Sequence, residues 1–241
     1  MTNGIDMGPD PDKVVLVGDA HHDTDWMLSV IEHAKSVGAD TLVQLGDFGY
    51  WPGRVDVDRH YLYRLGRALG GDMRLYWIDG NRENHDLLVP GLRYGPIQHL
   101  PRGLRWRWWD RTWMAVGGAV SSDKRHNTRF GQEALTDEQV DFCCRPGGVD
   151  VIVSHDAPDR VDIPYPRQKA EYYSDEAIAA SEAHRKLIGR IVDATGARWV
   201  FHGHHHIGYT AHRDQTIVVG LAGHHDGELD GSVKVLTRED I

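Results

Sequence analysis

Cysteine is nearly absent from this 241-residue chain. Only Cys143 and Cys144 occur, and adjacent cysteines are poorly placed for a structural disulfide. A disulfide-stapled secreted scaffold is therefore excluded, and a reducing, cytoplasmic setting is expected (a host cytoplasm, if the source is a bacteriophage). No apolar run approaches the roughly 20 residues that a bilayer span needs. The segment from Met1 to Pro11 is acidic and rich in Gly and Pro, with neither the basic start nor the apolar core of a secretory signal. Lysine is scarce too, 6 against 21 arginines, which reads mainly as genome composition with a weak hint of guanidinium groups facing phosphate. Net charge is -9 and the pI about 5.9, against a protein that grips nucleic acid by general positive charge. A small nucleotide or a local basic patch stays open. Neither an internal repeat nor a low-complexity segment is present.

What remains is the composition of an ordinary soluble globule, 40 % hydrophobic and 26 % charged. Its length supports one sizeable core, so residues 1–241 are expected as a single domain with 1–11 as a loose leading segment. The abundant residue is histidine, 16 in all, grouped at His21-His22, His204-His205-His206 and His224-His225. Imidazole together with carboxylate suits hard to borderline divalent metals rather than thiolate-seeking ones.

Five apolar runs read as buried strands, and each ends in a ligand-type residue. Residues 13–18 lead to Asp19 and His21, 40–45 to Asp47, 73–78 to Asn81, 149–153 to His155, and 198–201 to His202 through His206. Helical patterns lie between them. Residues 25–36 place Trp26, Val30, His33 and Val37 near one face, 57–69 form a second helix, and Thr136-x-x-Gln139 opens a third with a capping box. Residues 175–193 form the longest, with an apolar stripe of Ile178, Leu187, Ile188 and Ile191. Alternation of strand and helix implies parallel pairing with crossover helices, while 209–213, 217–221 and 232–237 read as short antiparallel strands. Trp106, Trp108, Trp109 and Trp113 read as hairpin core packing, and 157–173 as a long functional loop. Ligands in α/β sheets bind beyond the carboxyl ends of the strands, so donors from five strand ends meet the demand of a two-metal site.

The ordered series Asp19-Ala-His21, Gly46-Asp47, Gly80-Asn81-Arg82-Glu83, His155 and Gly203-His204-His205-His206 resembles the calcineurin-like metallophosphoesterase family in a bacterial or bacteriophage variant. No single motif is specific; the five in order are. The resemblance implies a four-layer α/β/β/α sandwich of two mixed sheets with metals at the strand ends. It implies Asp19, His21 and His206 on one divalent ion, Asn81, His155 and His204 on a second, and Asp47 bridging both. Manganese is favoured as the metal, with iron, zinc or nickel as alternatives. A water or hydroxide between the ions would attack phosphorus. Glu83, Asp23 and backbone carbonyls are candidates for anchoring the imidazoles.

The third motif departs from the family pattern, because Arg82 stands where a histidine normally follows the asparagine. A guanidinium clamps phosphate but is a poor general acid. Substrates that need little leaving-group protonation are therefore favoured: 2′,3′-cyclic nucleotides or other activated diesters. His85 is the candidate substitute acid, and Arg82 and His22 are candidates for binding substrate; His22 could instead cap the next helix. His205 is expected to point outward, His202 to pack at a strand end, and His224-His225 to form a surface turn. Residues 117–124 resemble a segment of some bacterial members without an assignable role, and Arg125, Arg129, Arg160, Arg167 and Lys169 could meet phosphate or base. The expected protein is a metal-dependent phosphodiesterase acting on a small phosphoester or nucleotide, with no membrane and no extended nucleic-acid partner; its oligomeric state is left open. The alternatives are a broad phosphomonoesterase or protein phosphatase, a nuclease, or a metal-binding module without turnover.

Overall fold

The computed structural model describes residues 5–51, 55–121, 132–165, 174–224 and 229–241, with residues 55–59 placed by their backbone alone. The β-branched runs become strands β1 (Val14–Val17), β2 (Thr41–Gln44) and β3 (Arg74–Trp77), joined in parallel through α1 (Thr24–Ser36) and α2 (Val55–Leu69). Two short strands not expected from sequence, β4 (Arg93–Tyr94) and β5 (Ile97–His99), extend this sheet to the order β12-β1-β2-β3-β5-β4, where β12 is Val233–Leu236. The second sheet runs β10-β11-β9-β8-β7-β6. Its members are β6 (Arg105–Trp108), β7 (Arg111–Val116), β8 (Val151–Ser154), β9 (Trp199–His202), β10 (Tyr209–Arg213) and β11 (Thr216–Gly220). Crossovers α3 (Asp137–Cys143) and α4 (Asp175–Thr195) link β7, β8 and β9 in parallel.

Strand periodicity sorts the side chains into layers. Val14 and Leu16 face the second sheet and join Phe201, Val153 and the tryptophans of the β6–β7 hairpin in the central core. Val15 and Val17 turn the other way, onto Trp26, Val30 and Ile31 of α1. Met114, Ile152 and Val200 pack beneath α3 and α4. Two mixed sheets with helices outside each form the α/β/β/α sandwich that the motifs implied.

Helix ends follow their local chemistry. Asp23 caps α1, Thr136 and Gln139 form the expected box on α3, and Gly196 closes α4 in the left-handed region at φ 70°. Several expectations change. The last three strands are not simple antiparallel neighbours, because β11 runs parallel to β9 and β12 joins the other sheet beside β1. On α1, Trp26 and Val30 are buried as expected together with Met27, Ile31 and Ala34, while His33 and Val37 are only half-buried. On α4, Ile188 and Ile191 are buried, but Ile178 is exposed, since the first turns of that helix overhang a cleft instead of the sheet. Within residues 5–11, Arg74 and Tyr76 donate to Met7 O, and the Trp109 indole donates to Pro11 O.

Candidate metal centre

Every candidate ligand lies just beyond the carboxyl end of a strand: Asp19 and His21 after β1, Asp47 after β2, Asn81 after β3, His155 after β8, His204 and His206 after β9. The two sheets meet there through hydrogen bonds. The Nδ1–H of His155 donates to Leu45 O at 2.7 Å, and the His204 N–H donates to Asp19 Oδ1 at 2.8 Å. Tight loops make the approach possible. A Cβ on Gly80 would lie 2.2 Å from the Asp47 carboxylate, and one on Gly203 would lie 2.1 Å from Asp19. His21, Asp47, His204 and His206 all adopt positive φ, between 45° and 64°. For non-glycine residues this conformation costs about 1–3 kcal/mol each and collects at functional sites.

Three groups of side chains come within metal-holding reach: Asp19 with His21 and His206, Asp19 with Asp47 and His155, and Asp156 with His204 and His205. In the first, the Nε2 atoms of His21 and His206 stand 3.0 Å apart, and His206 Nε2 is 2.9 Å from Asp19 Oδ2. The donors of the second group and Asn81 test whether a cation fits. The Asn81 amide donates to Ser121 Oγ at 2.8 Å, and Ser121 in turn donates to Glu133, so Asn81 Oδ1 is the atom left facing the site. His155 commits its Nδ1–H to Leu45, leaving Nε2 3.0 Å from Asn81 Oδ1 and 3.4 Å from Asp47 Oδ1. Asn81 Oδ1 and His155 Nε2 thus face each other with no hydrogen between them unless His155 takes up a proton. Asp47 Oδ1, which accepts from the Arg82 N–H, lies beside them, and a divalent cation suits all three. The donor set fits.

The electrostatics agree. Burial pushes the Asp19 carboxyl up, but the hydrogen bond with His206 and the facing imidazoles of His155, His206 and His21 outweigh it and hold it well below the usual range. Burial likewise works against a charged His155, yet Asp47 and Asp19 prevail and raise it to about 9, the mark of a site that favours positive charge. His204 is pushed well down by burial, which keeps a neutral nitrogen available.

Other residues fall differently from expectation. Arg82 lines the cleft of about 380 Å³ that opens over His21, Asp47, Asn81 and His204, and its N–H donates to Asp47 Oδ1 at 2.8 Å. His85 does not reach that cleft. Its Nε2–H donates to Gly80 O, and it lines a separate cavity of about 940 Å³ with His99 and Arg102, because the turn after Asn81 carries it behind the loop. His22 neither caps α1 nor lines the cleft; its ring stacks on Tyr61 at 4.4 Å. His205 is buried and points inward to Asp156, contrary to the outward expectation. His202 packs at the strand end as expected, against the Tyr209 hydroxyl. His224 approaches the site, its N–H on Asp19 O and its ring 5.3 Å from that of His21, while His225 lies outside the described residues.

Glu83 accepts from the backbone N–H groups of Gly49 and Gly80 instead of an imidazole, and Asp23 is used as a cap. Burial, then the Asp47 charge, pushes the Glu83 carboxyl up to about 8. Arg160 pairs with Asp193 and Asp214, whereas Arg125, Arg129, Arg167 and Lys169 lie outside the described residues. Sequence reasoning missed Ser121, Glu133 and Asp156. Asp156 directly follows a candidate ligand, the one signal that could have marked it.

Donors of this kind, gathered at strand ends between two mixed sheets, define a candidate metal-dependent phosphoesterase site. The chain belongs to the calcineurin-like phosphoesterase family, whose model matches residues 12–208. Among solved structures it is similar to the protein TT1561 of Thermus thermophilus, at 11% identity and a TM-score of 0.56 over 95% of this chain and 99% of that one. It is also similar to a dimetal phosphatase from Danio rerio, at 12% identity and a TM-score of 0.53 over 89% and 88%. At such identities the likeness concerns the fold. No curated protein matches the sequence. Among the described residues no helix is long and apolar enough to cross a membrane.

Proposed function

We propose that this chain is a phosphodiesterase dependent on two divalent ions, with 2′,3′-cyclic nucleotides or similarly activated diesters as substrates. The observation that carries the reading is the convergence of Asn81 Oδ1, His155 Nε2 and Asp47 Oδ1 beside the Asp19–His21–His206 group, with Arg82 on the rim of the same cleft. Asp19, His21 and His206 would hold one ion, Asn81, His155 and His204 the other, and Asp47 both. When bound, such ions neutralise phosphoryl oxygens and acidify water. Manganese suits this imidazole, carboxylate and amide set, as do iron, zinc and nickel.

The chain's own residues do the rest. The Ser121–Glu133 pair fixes the Asn81 amide, and the Leu45 carbonyl fixes the tautomer of His155. Arg82 offers fixed positive charge and several N–H donors to non-bridging phosphate oxygens, but no readily released proton. With His85 behind the loop, no imidazole of the third motif stands ready to protonate a leaving alkoxide, and that favours strained or acidic leaving groups. The test is a panel of mono-, di- and cyclic phosphoesters with added manganese. The reading expects 2′,3′-cyclic nucleotides and aryl diesters to lead; a preference for simple alkyl monoesters contradicts it.

A further inference from the structure

Beyond the ligands, the cleft has a second wall. Tyr165 rises from the loop after β8, and Ala177, Ile178, Ser181 and Glu182 come from the first turns of α4, facing Arg82 and the metal-site residues. Tyr165 is 41% exposed and Ile178 39%, large apolar surfaces left open beside a polar site. What distinguishes Tyr165 is how firmly it is held. Asp156 is fully buried, and its two oxygens accept from His184 Nδ1 at 2.7 Å and His205 Nε2 at 3.0 Å. With Nε2–H committed to Asp156, His205 presents the bare Nδ1 to the Tyr165 hydroxyl, which donates to it. The two rings meet edge to face, 5.6 Å apart at 75°. From the other side, the Arg185 guanidinium of α4 donates to Pro158 O and Val161 O and pins the loop that delivers Tyr165. A buried carboxylate, two histidines and an arginine are thus spent on orienting one half-exposed ring over the cleft.

We propose that Tyr165 is the specificity residue of this site, the surface on which a flat aromatic part of the phosphoester lies while its phosphate meets Arg82 and the metal ligands. This rests on the phosphoester reading above. A fixed ring loses little freedom on binding, and ring stacking accepts any base or aryl group. Ile178 and Ala177 extend the apolar floor, and the Glu182 carboxylate and Ser181 hydroxyl supply polar partners at its edge, a pattern suited to a nucleobase with its own N–H donors. A nucleobase and a simple aryl ester share the stacking chemistry; only the first would use Glu182.

The test is equilibrium binding of AMP, phenyl phosphate and inorganic phosphate to manganese-loaded protein by calorimetry, for wild type, Tyr165→Leu and Tyr165→Phe. AMP should bind wild type more tightly than phosphate does. Tyr165→Leu should lose about 5- to 150-fold of that advantage, the worth of one stacked ring, with phosphate affinity unchanged, and Tyr165→Phe, which keeps the ring but loses its hydroxyl tether to His205, should fall between wild type and Tyr165→Leu. A gain for AMP well above that for phenyl phosphate, removed by Glu182→Gln, assigns the wall to a nucleobase; equal gains assign it to aryl esters generally. Equal affinity for AMP and phosphate in wild type, an advantage untouched in Tyr165→Leu, or a larger loss in Tyr165→Phe than in Tyr165→Leu overturns the proposal. A Tyr165-dependent advantage in a protein that hydrolyses no phosphoester would keep the subsite and discard the phosphodiesterase reading. Hydrolysis without the advantage would do the reverse.

Discussion

Asp47 and Asp79 each follow a central strand of the same sheet, and both are buried, yet their charges are balanced in opposite ways. Asp79 meets a permanent cation. Arg102 places Nε and Nη2 on its Oδ2 at 2.9 and 2.7 Å, and the remaining guanidinium hydrogens go to Gln139 and the carbonyls of Gln132, Glu133 and Ala134. Burial alone would push the Asp79 carboxyl up, but Arg102 and His99 hold it well below the usual range. Asp47, like Asp19, faces imidazoles instead: His155 at 3.4 Å and His21 at 3.7 Å. Among the described residues no arginine or lysine side chain pairs with either. A carboxylate locked to arginine is already satisfied by a fixed cation, whereas Asp47 and Asp19 stand among imidazole nitrogens that can join them in holding a metal. The contrast sets Asp79, closed off by Arg102, apart from Asp19 and Asp47, which open onto the candidate metal site.

The largest break in that comparison is Asp47→Ala. It should remove both ions and lower turnover by at least on the order of 10²–10³-fold while the chain stays folded, checked by metal analysis alongside circular dichroism. Arg102→Met should do the opposite. It leaves Asp79 buried and unpaired and should cost about 3–5 kcal/mol of stability in denaturant titration, with the metal content of the folded protein unchanged. Equal metal loss in both variants would erase the distinction drawn between the two aspartates.

Ser121→Ala sharpens the same contrast at one step's remove. Freed from Ser121, the Asn81 amide can turn its NH₂ toward the site, and affinity for one of the two ions should fall about 10–100-fold in a competition titration. A smaller effect is expected at Arg82. Arg82→Ala should lose about 1.5–3 kcal/mol of catalytic efficiency on mono- and diesters alike, and Arg82→His should raise the monoester-to-diester ratio. A ratio unchanged across the three proteins would place the side chain away from the leaving group.

The layers of the fold and the strand-end placement of the candidate ligands were legible because both depend on local pattern. Apolar β-branched runs ending in Asp, Asn or His mark strands and their carboxyl ends without knowledge of the partner sheet. The failures were tertiary. His205 sits between two ligands in sequence, and only the position of Asp156 across the strand turns it inward. His85 follows Asn81 closely, yet the loop's path carries it to another cavity. Ile178 continues an apolar stripe by spacing, and it emerges on the cleft only because α4 outruns the sheet beneath it. Ser121, Asp156 and Tyr165 carry no motif of their own; their roles come from what they touch.

The central claim is that the imidazole-balanced cluster holds two exchangeable cations and that catalysis depends on them. The direct measurement is a manganese titration of chelator-treated protein, with bound metal and hydrolysis of a 2′,3′-cyclic nucleotide followed together. Two equivalents per chain should bind, no turnover should precede them, and activity should rise with occupancy. Full activity in the chelated protein, or saturation without any dependence on Asp47, would contradict the account.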